Sequence, residues 1–200
     1  MDNFEEALDF VKKHKGDLKQ PSGPLFMWEH ALQVAQYLTK CLQETEEIEE
    51  DRIKTLQYVA LGHDLLEDTA CTPQEIANRW GDEVLRYIQL LSNMKGDDDI
   101  DEYMETLGTV NEEVFMVKLA DIYANVRNSV VNFNDSSVDF LLNKWPKFLE
   151  DYKKLFKRKV SSYEKTIRSM INEITPLIIE CEEKIAELAE KEGRDKLYFI

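Results

Sequence analysis

The chain has 200 residues, 43% of them hydrophobic, enough for one domain with a substantial core and too many for a disordered segment. Forty acidic against 25 basic side chains give a formal net charge of −15, a field that repels phosphate backbones and excludes a basic-groove protein, so neither nucleic acid nor an anionic membrane is an expected partner. No apolar run approaches the roughly 20 residues of a membrane span. The start Met1-Asp2-Asn3-Phe4-Glu5-Glu6 lacks the basic and apolar regions of a signal peptide, and Cys41, Cys71 and Cys181 form no C-x-x-C pair; a cytoplasmic protein with reduced thiols is expected.

Only seven Gly and five Pro punctuate the chain, and the apolar residues between them recur at helical spacing, which predicts an all-α fold. A first helix is expected over Phe4 to Lys13, then a Gly/Pro-rich stretch from His14 to Pro24, then a helix over Met27 to Cys41. After an acidic loop, Glu44 to Glu50, a third helix over Asp51 to Glu67 is apolar on most sides and should sit centrally. Thr72-Pro73-Gln74-Glu75 orders a threonine cap, a first-turn proline and a third-position glutamate, starting a short helix that Gly81 ends after Trp80. Glu83 to Asn93 should be helical, Lys95 to Asp101 an acidic loop, and Glu112 to Val131 a long, mostly apolar helix.

From 137 to 200 the pattern is helical and charged, which separates a C-terminal helical extension from residues 1–136. Ile167, Ile171, Ile174, Ile178, Cys181, Ile185 and Leu188 make a heptad-like seam for the body of the domain or for a second copy in a homo-oligomer. Thr175-Pro176 should kink or restart the helix inside it. The extension is expected to cover the body and carry no chemistry.

The chemistry concentrates in Gly62-His63-Asp64-Leu65-Leu66-Glu67-Asp68-Thr69. On one helix His63, Asp64, Glu67 and Asp68 would share a sector of about 140°, a polar patch on an otherwise apolar element. No Lys or Arg in the same turn compensates the charge, and a divalent cation would. Two further candidates sit on apolar helix faces: His30, and Asp121 with Asn125 one turn later. His30, His63, Asp64 and Asp121 make a two-imidazole, two-carboxylate set that suits Mn²⁺, Fe²⁺, Co²⁺ or Zn²⁺. Glu67 and Asp68, one turn beyond His63 and Asp64, are placed to orient water.

The order His30 … His63-Asp64-x-x-Glu67-Asp68-Thr69 … Lys118-Leu119-Ala120-Asp121-x-x-x-Asn125-x-Arg127 resembles the HD-domain metal-dependent phosphohydrolases. Within them it is most similar to the hydrolase domain of RelA/SpoT-type alarmone enzymes and to the small alarmone hydrolases, over roughly residues 10 to 131. The resemblance implies a helical bundle holding one Mn²⁺-like ion through His30, His63, Asp64 and Asp121. It implies removal of the 3′ pyrophosphate of guanosine tetra- or pentaphosphate, giving GDP or GTP. It further implies that Asn125 contacts the ribose or phosphate, with Lys118, Arg127 or the lysines of the Lys12 to Lys19 stretch matching phosphate charge. The chain departs from the family's Arg-Lys pair and Pro-Tyr-x-x-His-Pro run; it reads Phe26-Met27-Trp28-Glu29-His30-Ala31, and Ile122 replaces the usual basic residue after K-L-A-D. These positions shape the nucleotide pocket, so two alternatives stand beside the alarmone: an HD phosphohydrolase of another nucleotide (a 5′-nucleotidase, deoxynucleotide hydrolase or NADPH phosphatase), and an inactive helical binding module.

Overall fold

The structure, a computed structural model, describes residues 3–20, 24–93 and 100–194, and all its regular elements are helical among these. In chain order they are α1 (Phe4–Lys15), α2 (Met27–Thr45), α3 (Glu50–Gly62), α4 (Leu65–Asp68), α5 (Pro73–Trp80), α6 (Asp82–Leu91), α7 (Ile100–Thr109), α8 (Glu112–Val131), α9 (Trp145–Leu155) and α10 (Glu164–Lys191). A 3₁₀ turn at Phe133–Asp135 and a π-helical turn at Phe140–Lys144 lead from α8 into α9. No described helix is long and apolar enough to cross a membrane.

Side-chain caps start several helices where the sequence offers them. Asn3 and Glu6 form a capping box on α1, Thr72 and Glu75 another on α5 with Pro73 in its first turn, and Asn111 Oδ1 accepts from the Val114 N–H on α8. An antiparallel bridge between Lys19 and Phe26, with Glu29 accepting from the Phe26 N–H at 2.8 Å, fixes the entry of α2.

The middle of the bundle is α3 and α8. Tyr58, Val59, Ala60 and Leu61 are all essentially buried, as is the run Val114-Phe115-Met116-Val117 with Leu119 and Ala120. Over these stretches the two helices turn almost nothing to water and are covered by their neighbours. α2 packs on both, α1 on α3, and α10 lies along α8 and α2.

Three expectations are corrected. The third helix does not run to Glu67; it ends at Gly62, and Asp64 (φ −103°, ψ 4°) sits between two helical segments. The ring of His63 takes the carbonyl of Ala60 at 2.7 Å, the acceptor that an unbroken helix would offer to the Asp64 amide. Gly62 has no room for a side chain: a Cβ there would lie 2.7 Å from Ile88 Cδ1 and 2.8 Å from Trp80 Cζ3, so the end of α3 rests directly on α5 and α6. Second, Ile100 and Asp101, expected in an acidic loop, begin α7, while 94–99 lie outside the described residues. Third, α10 runs through Pro176 without a break. Pro176 and Asn172, whose carbonyl loses its donor, are exposed to water, while Ile167, Met170, Ile174, Ile178, Cys181, Ile185 and Ala189 stay buried. That seam steps by three, four, four and again three, four, four, the repeat of a nearly straight helix. Ile171 and Leu188, read as seam positions, are half-buried flanks.

The start of α10 is tied down by two carboxylates. Glu112 accepts from the backbone N–H groups of Ser161, Ser162 and Tyr163 at 2.6, 2.8 and 2.9 Å, and Glu47 accepts from the Thr166 N–H at 2.7 Å.

Candidate metal centre

Three helical segments deliver the cluster. α2 brings His30, the break after α3 brings His63 and Asp64, and α8 brings Asp121. His63 Nε2 lies 2.9 Å from Asp64 Oδ2 and 3.5 Å from Asp121 Oδ1; His30 Nε2 lies 3.1 Å from Asp121 Oδ1 and 4.0 Å from Asp64 Oδ2. His30, His63 and Asp121 are buried. The four residues picked out in the sequence therefore converge, although the continuous helix assumed for His63 to Asp68 does not exist.

The tautomer of His63 decides what the cluster can hold. A carbonyl only accepts, so Nδ1 carries the hydrogen donated to Ala60, and neutral His63 has its lone pair on Nε2. That buried atom has no hydrogen-bond donor of its own and faces two carboxylate oxygens. Lone pair against lone pair is repulsive, so a proton or a metal ion belongs between them. Burial disfavours the imidazolium, yet the charge of Asp64 and hydrogen bonds to Asp121 and Asp64 outweigh it and hold the His63 pKa up to about 10. Asp64 and Asp121 are held below the usual carboxylate range against the effect of burial, Asp64 by the charges of His63 and Lys15, and Asp121 by Lys118 and its imidazole partners. Two imidazoles and two carboxylates, one imidazole oriented through its far N–H by a backbone carbonyl, fit a divalent cation of the Mn²⁺ to Zn²⁺ series.

Two lysines partly compensate the acid charge, from elements distant in sequence. Lys15, at the end of α1 and 1% exposed, reaches Asp68 Oδ2 at 3.2 Å and Asp64 Oδ2 at 3.9 Å. Lys118 donates to Asp121 Oδ2 at 2.7 Å. Asp64, Glu67, Asp68 and Asp121 thus face two ammonium groups, which leaves negative charge for a cation to balance. Burial and the charge of Asp64 raise the pKa of both Glu67 and Asp68. Glu67 also accepts from the Asn93 N–H at 2.9 Å. Asn125 donates to Asp121 Oδ1 at 2.7 Å, so its amide positions a carboxylate of the cluster.

A cavity of about 320 Å³ opens over the cluster and is lined by His30, Asp64, Glu67, Asp68, Asp121 and Asn125 together with Lys118. It is also lined by Tyr103 of α7 and Tyr152, which stand beside Lys118, and by Phe140, Trp145 and Phe148. The segment after 137, expected to carry no chemistry, therefore supplies a wall of the pocket. Arg127, a candidate for phosphate charge, is exposed and lies off the cavity; of the Lys12 to Lys19 stretch, Lys15 turns inward to the carboxylates. A second group with metal-ligand atoms, His14, Cys71 and Glu75, stands outside the cavity, its Glu75 engaged in the α5 cap.

No protein-family model and no curated relative matches the chain. Among solved structures it is similar to one described as "A metazoan ortholog of SpoT hydrolyzes ppGpp and plays a role in starvation responses", with a TM-score of 0.55 and 15% sequence identity, over 95% of this chain and 95% of that chain. At that identity the likeness is one of fold: an all-α helical bundle of the HD type.

Proposed function

We propose that the protein is a cytoplasmic, metal-dependent phosphohydrolase of a small nucleotide, and within that class a 3′-pyrophosphohydrolase of guanosine tetra- or pentaphosphate that yields GDP or GTP and pyrophosphate. The observation that carries the reading is the convergence of His63 Nε2, with its lone pair, on Asp64 Oδ2 and Asp121 Oδ1 beside His30. These four residues would hold one divalent ion, Mn²⁺ in first place with Fe²⁺, Co²⁺ or Zn²⁺ as alternatives. Such an ion, when bound, polarises a phosphoryl oxygen and lowers the pKa of water. Asp68 and Glu67, at the edge of the cluster with carboxyl pKa values above the usual range, accept a proton from the attacking water and orient it. Lys118, on the cavity wall, meets phosphate charge, and Lys15 holds Asp68 from behind. Asn125 keeps Asp121 in place and faces the ribose or phosphate.

A second reading, hydrolysis of another nucleotide such as a deoxynucleotide, a 5′-mononucleotide or NADPH, is favoured by one observation: Lys118 is the single Lys or Arg among the described residues lining the cavity, few cations for a substrate with two diphosphates. The test is incubation with Mn²⁺ and a panel of guanosine tetraphosphate, NADPH, deoxynucleoside triphosphates and nucleoside monophosphates, with the products resolved. GDP and pyrophosphate from the first substrate are expected. Single phosphates, or rapid cleavage of another panel member alone, would select the second reading, and no turnover at all would leave an inactive binding module.

A further inference from the structure

The turn between the 3₁₀ segment and α9 has an unusual cause and an unusual product. Pro146, the second residue of α9, has no N–H for the carbonyl of Leu142, and its ring would crowd that carbonyl in an α-helix. The chain widens instead: Phe140–Lys144 is π-helical, and the Trp145 N–H bonds to the carbonyl of Phe140, five residues back. On an α-helix residues five apart point about 140° from each other. Here Phe140 and Trp145 stack with ring centroids 5.3 Å apart. α9 then continues the face: Trp145 lies 6.0 Å from Phe148 and 6.1 Å from Tyr152, ring to ring. The indole is pinned from behind, its N–H on Cys181 Sγ of α10 at 3.2 Å. All four rings border the cavity that the imidazole–carboxylate cluster also lines, with Tyr152 nearest Lys118 and Asp121. Phe140 and Phe148 remain half-buried and are free to meet a ligand.

We infer that the aromatic face Phe140–Trp145–Phe148–Tyr152 receives the planar, non-reacting base of a nucleotide whose phosphate reaches the imidazole–carboxylate cluster, and that the π-helical turn assembles this face. The inference rests on the phosphohydrolase reading for what the imidazole–carboxylate cluster receives. A pocket lined by both charged groups and aromatic rings fits a ligand that carries phosphate and a planar ring, and every base offers a π face to stack on. Recognition by stacking tolerates different bases, so specificity among bases must come from polar groups, while affinity comes from the face.

The test is equilibrium titration of GDP, ribose 5-phosphate and inorganic pyrophosphate into Mn²⁺-loaded protein, comparing the wild type with Phe148→Ala, Phe148→Leu and Phe148→Tyr. Loss of one stacked ring should weaken GDP roughly 5- to 150-fold. Phe148→Tyr should restore GDP binding, Phe148→Leu should not, and neither pyrophosphate nor ribose 5-phosphate should respond to any of the three. Phe140→Ala, at the other half-buried ring, should repeat the result should Phe148→Ala fold poorly. Pro146→Ala, which returns the missing N–H, should weaken GDP without lowering the melting temperature. Equal weakening of pyrophosphate and GDP, full rescue by leucine, or GDP binding indifferent to both phenylalanines would overturn the proposal. GDP affinity that depends on Phe148 in a protein with no turnover on any nucleotide would overturn the phosphohydrolase reading and leave the aromatic face standing; turnover with a KM indifferent to Phe148 and Phe140 would do the reverse.

Discussion

Helices α3 and α8 meet in two polar clusters that are satisfied in opposite ways. Near their N-terminal ends Arg52 donates to Glu113, to Glu83 at 2.8 Å and to the Tyr87 hydroxyl at 2.8 Å, while Tyr87 and Tyr163 donate in turn to Glu113. Donors and acceptors there close on one another. At the other end of α3, His63 presents a lone pair to carboxylates and Asp64, Glu67, Asp68 and Asp121 outnumber Lys15 and Lys118. The first cluster is complete without a ligand and ties α3, α6 and α8 together. The second leaves a lone pair facing carboxylates, a place for a proton or a metal ion. Both are charged, both are partly or wholly buried, and only the accounting of lone pairs and donors separates a brace from a site.

The comparison breaks most directly at His63. His63→Ala should remove metal and all metal-dependent turnover, and elemental analysis of the purified variant checks it; full metal occupancy would mean the cluster is another brace. Next, Asp68→Asn and Glu67→Gln should keep the metal and lose about 10²- to 10⁴-fold in kcat, measured by steady-state kinetics at saturating Mn²⁺. Near-normal rates in both would reassign these carboxylates to structure. Arg52→Met is the counterpart at the brace: a loss of about 1–3 kcal/mol in denaturant unfolding, from acceptors left without their donor, with metal content and kcat unmoved. Gly62→Ala, which forces a methyl against Trp80 and Ile88, should destabilise by about 1–3 kcal/mol and, because Gly62 precedes His63, also weaken metal binding.

Acid should separate the two clusters by sign. Burial raises the Glu113 pKa, but hydrogen bonds from Arg52 and Tyr87 prevail and hold it below the usual glutamate range. Its stabilising contribution is therefore full above that range and lost as pH falls through the folded value. In the metal-free protein Glu67 and Asp68 are shifted upward, so their contribution is present at low pH and lost as pH rises through their folded values. Thermal melting of the metal-free protein at pH 6 and pH 4 should show the acid-induced loss reduced in Glu113→Gln and deepened in Glu67→Gln. Matching responses would erase the distinction.

Much of this was legible in the residues. The cap Thr72 with Pro73 and Glu75 marked the start of α5, because capping is local chemistry, and apolar spacing marked α1 and α8. His30, His63, Asp64 and Asp121 were legible as polar exceptions on apolar faces. The break at His63-Asp64 was not, because Leu65 and Leu66 continue the apolar run and only the ring of His63 reveals the competition for the Ala60 carbonyl. α7 escaped because a single side chain in it, Leu107, is fully buried, so its pattern is faint. Lys15 was read only as one of the Lys12 to Lys19 lysines that could match phosphate charge, because nothing local shows that α1 runs on to Lys15 and turns it toward Asp64 and Asp68. The aromatic wall was hidden for a different reason: Phe140, Trp145, Phe148 and Tyr152 fall at intervals of five, three and four, and no α-helical template groups the first with the rest.

A π turn differs from an α turn by one residue of chain, which makes this wall adjustable by the smallest possible change in a gene. Exchanging Pro146 for a residue with an N–H would let the segment take α register at unchanged length and rotate Phe140 away from Trp145, with every codon of the imidazole–carboxylate cluster untouched. On the proposed reading, the affinity for a base and the bond-breaking chemistry are written in separate stretches of the message, and the former can change by a substitution in the turn while the latter is held fixed.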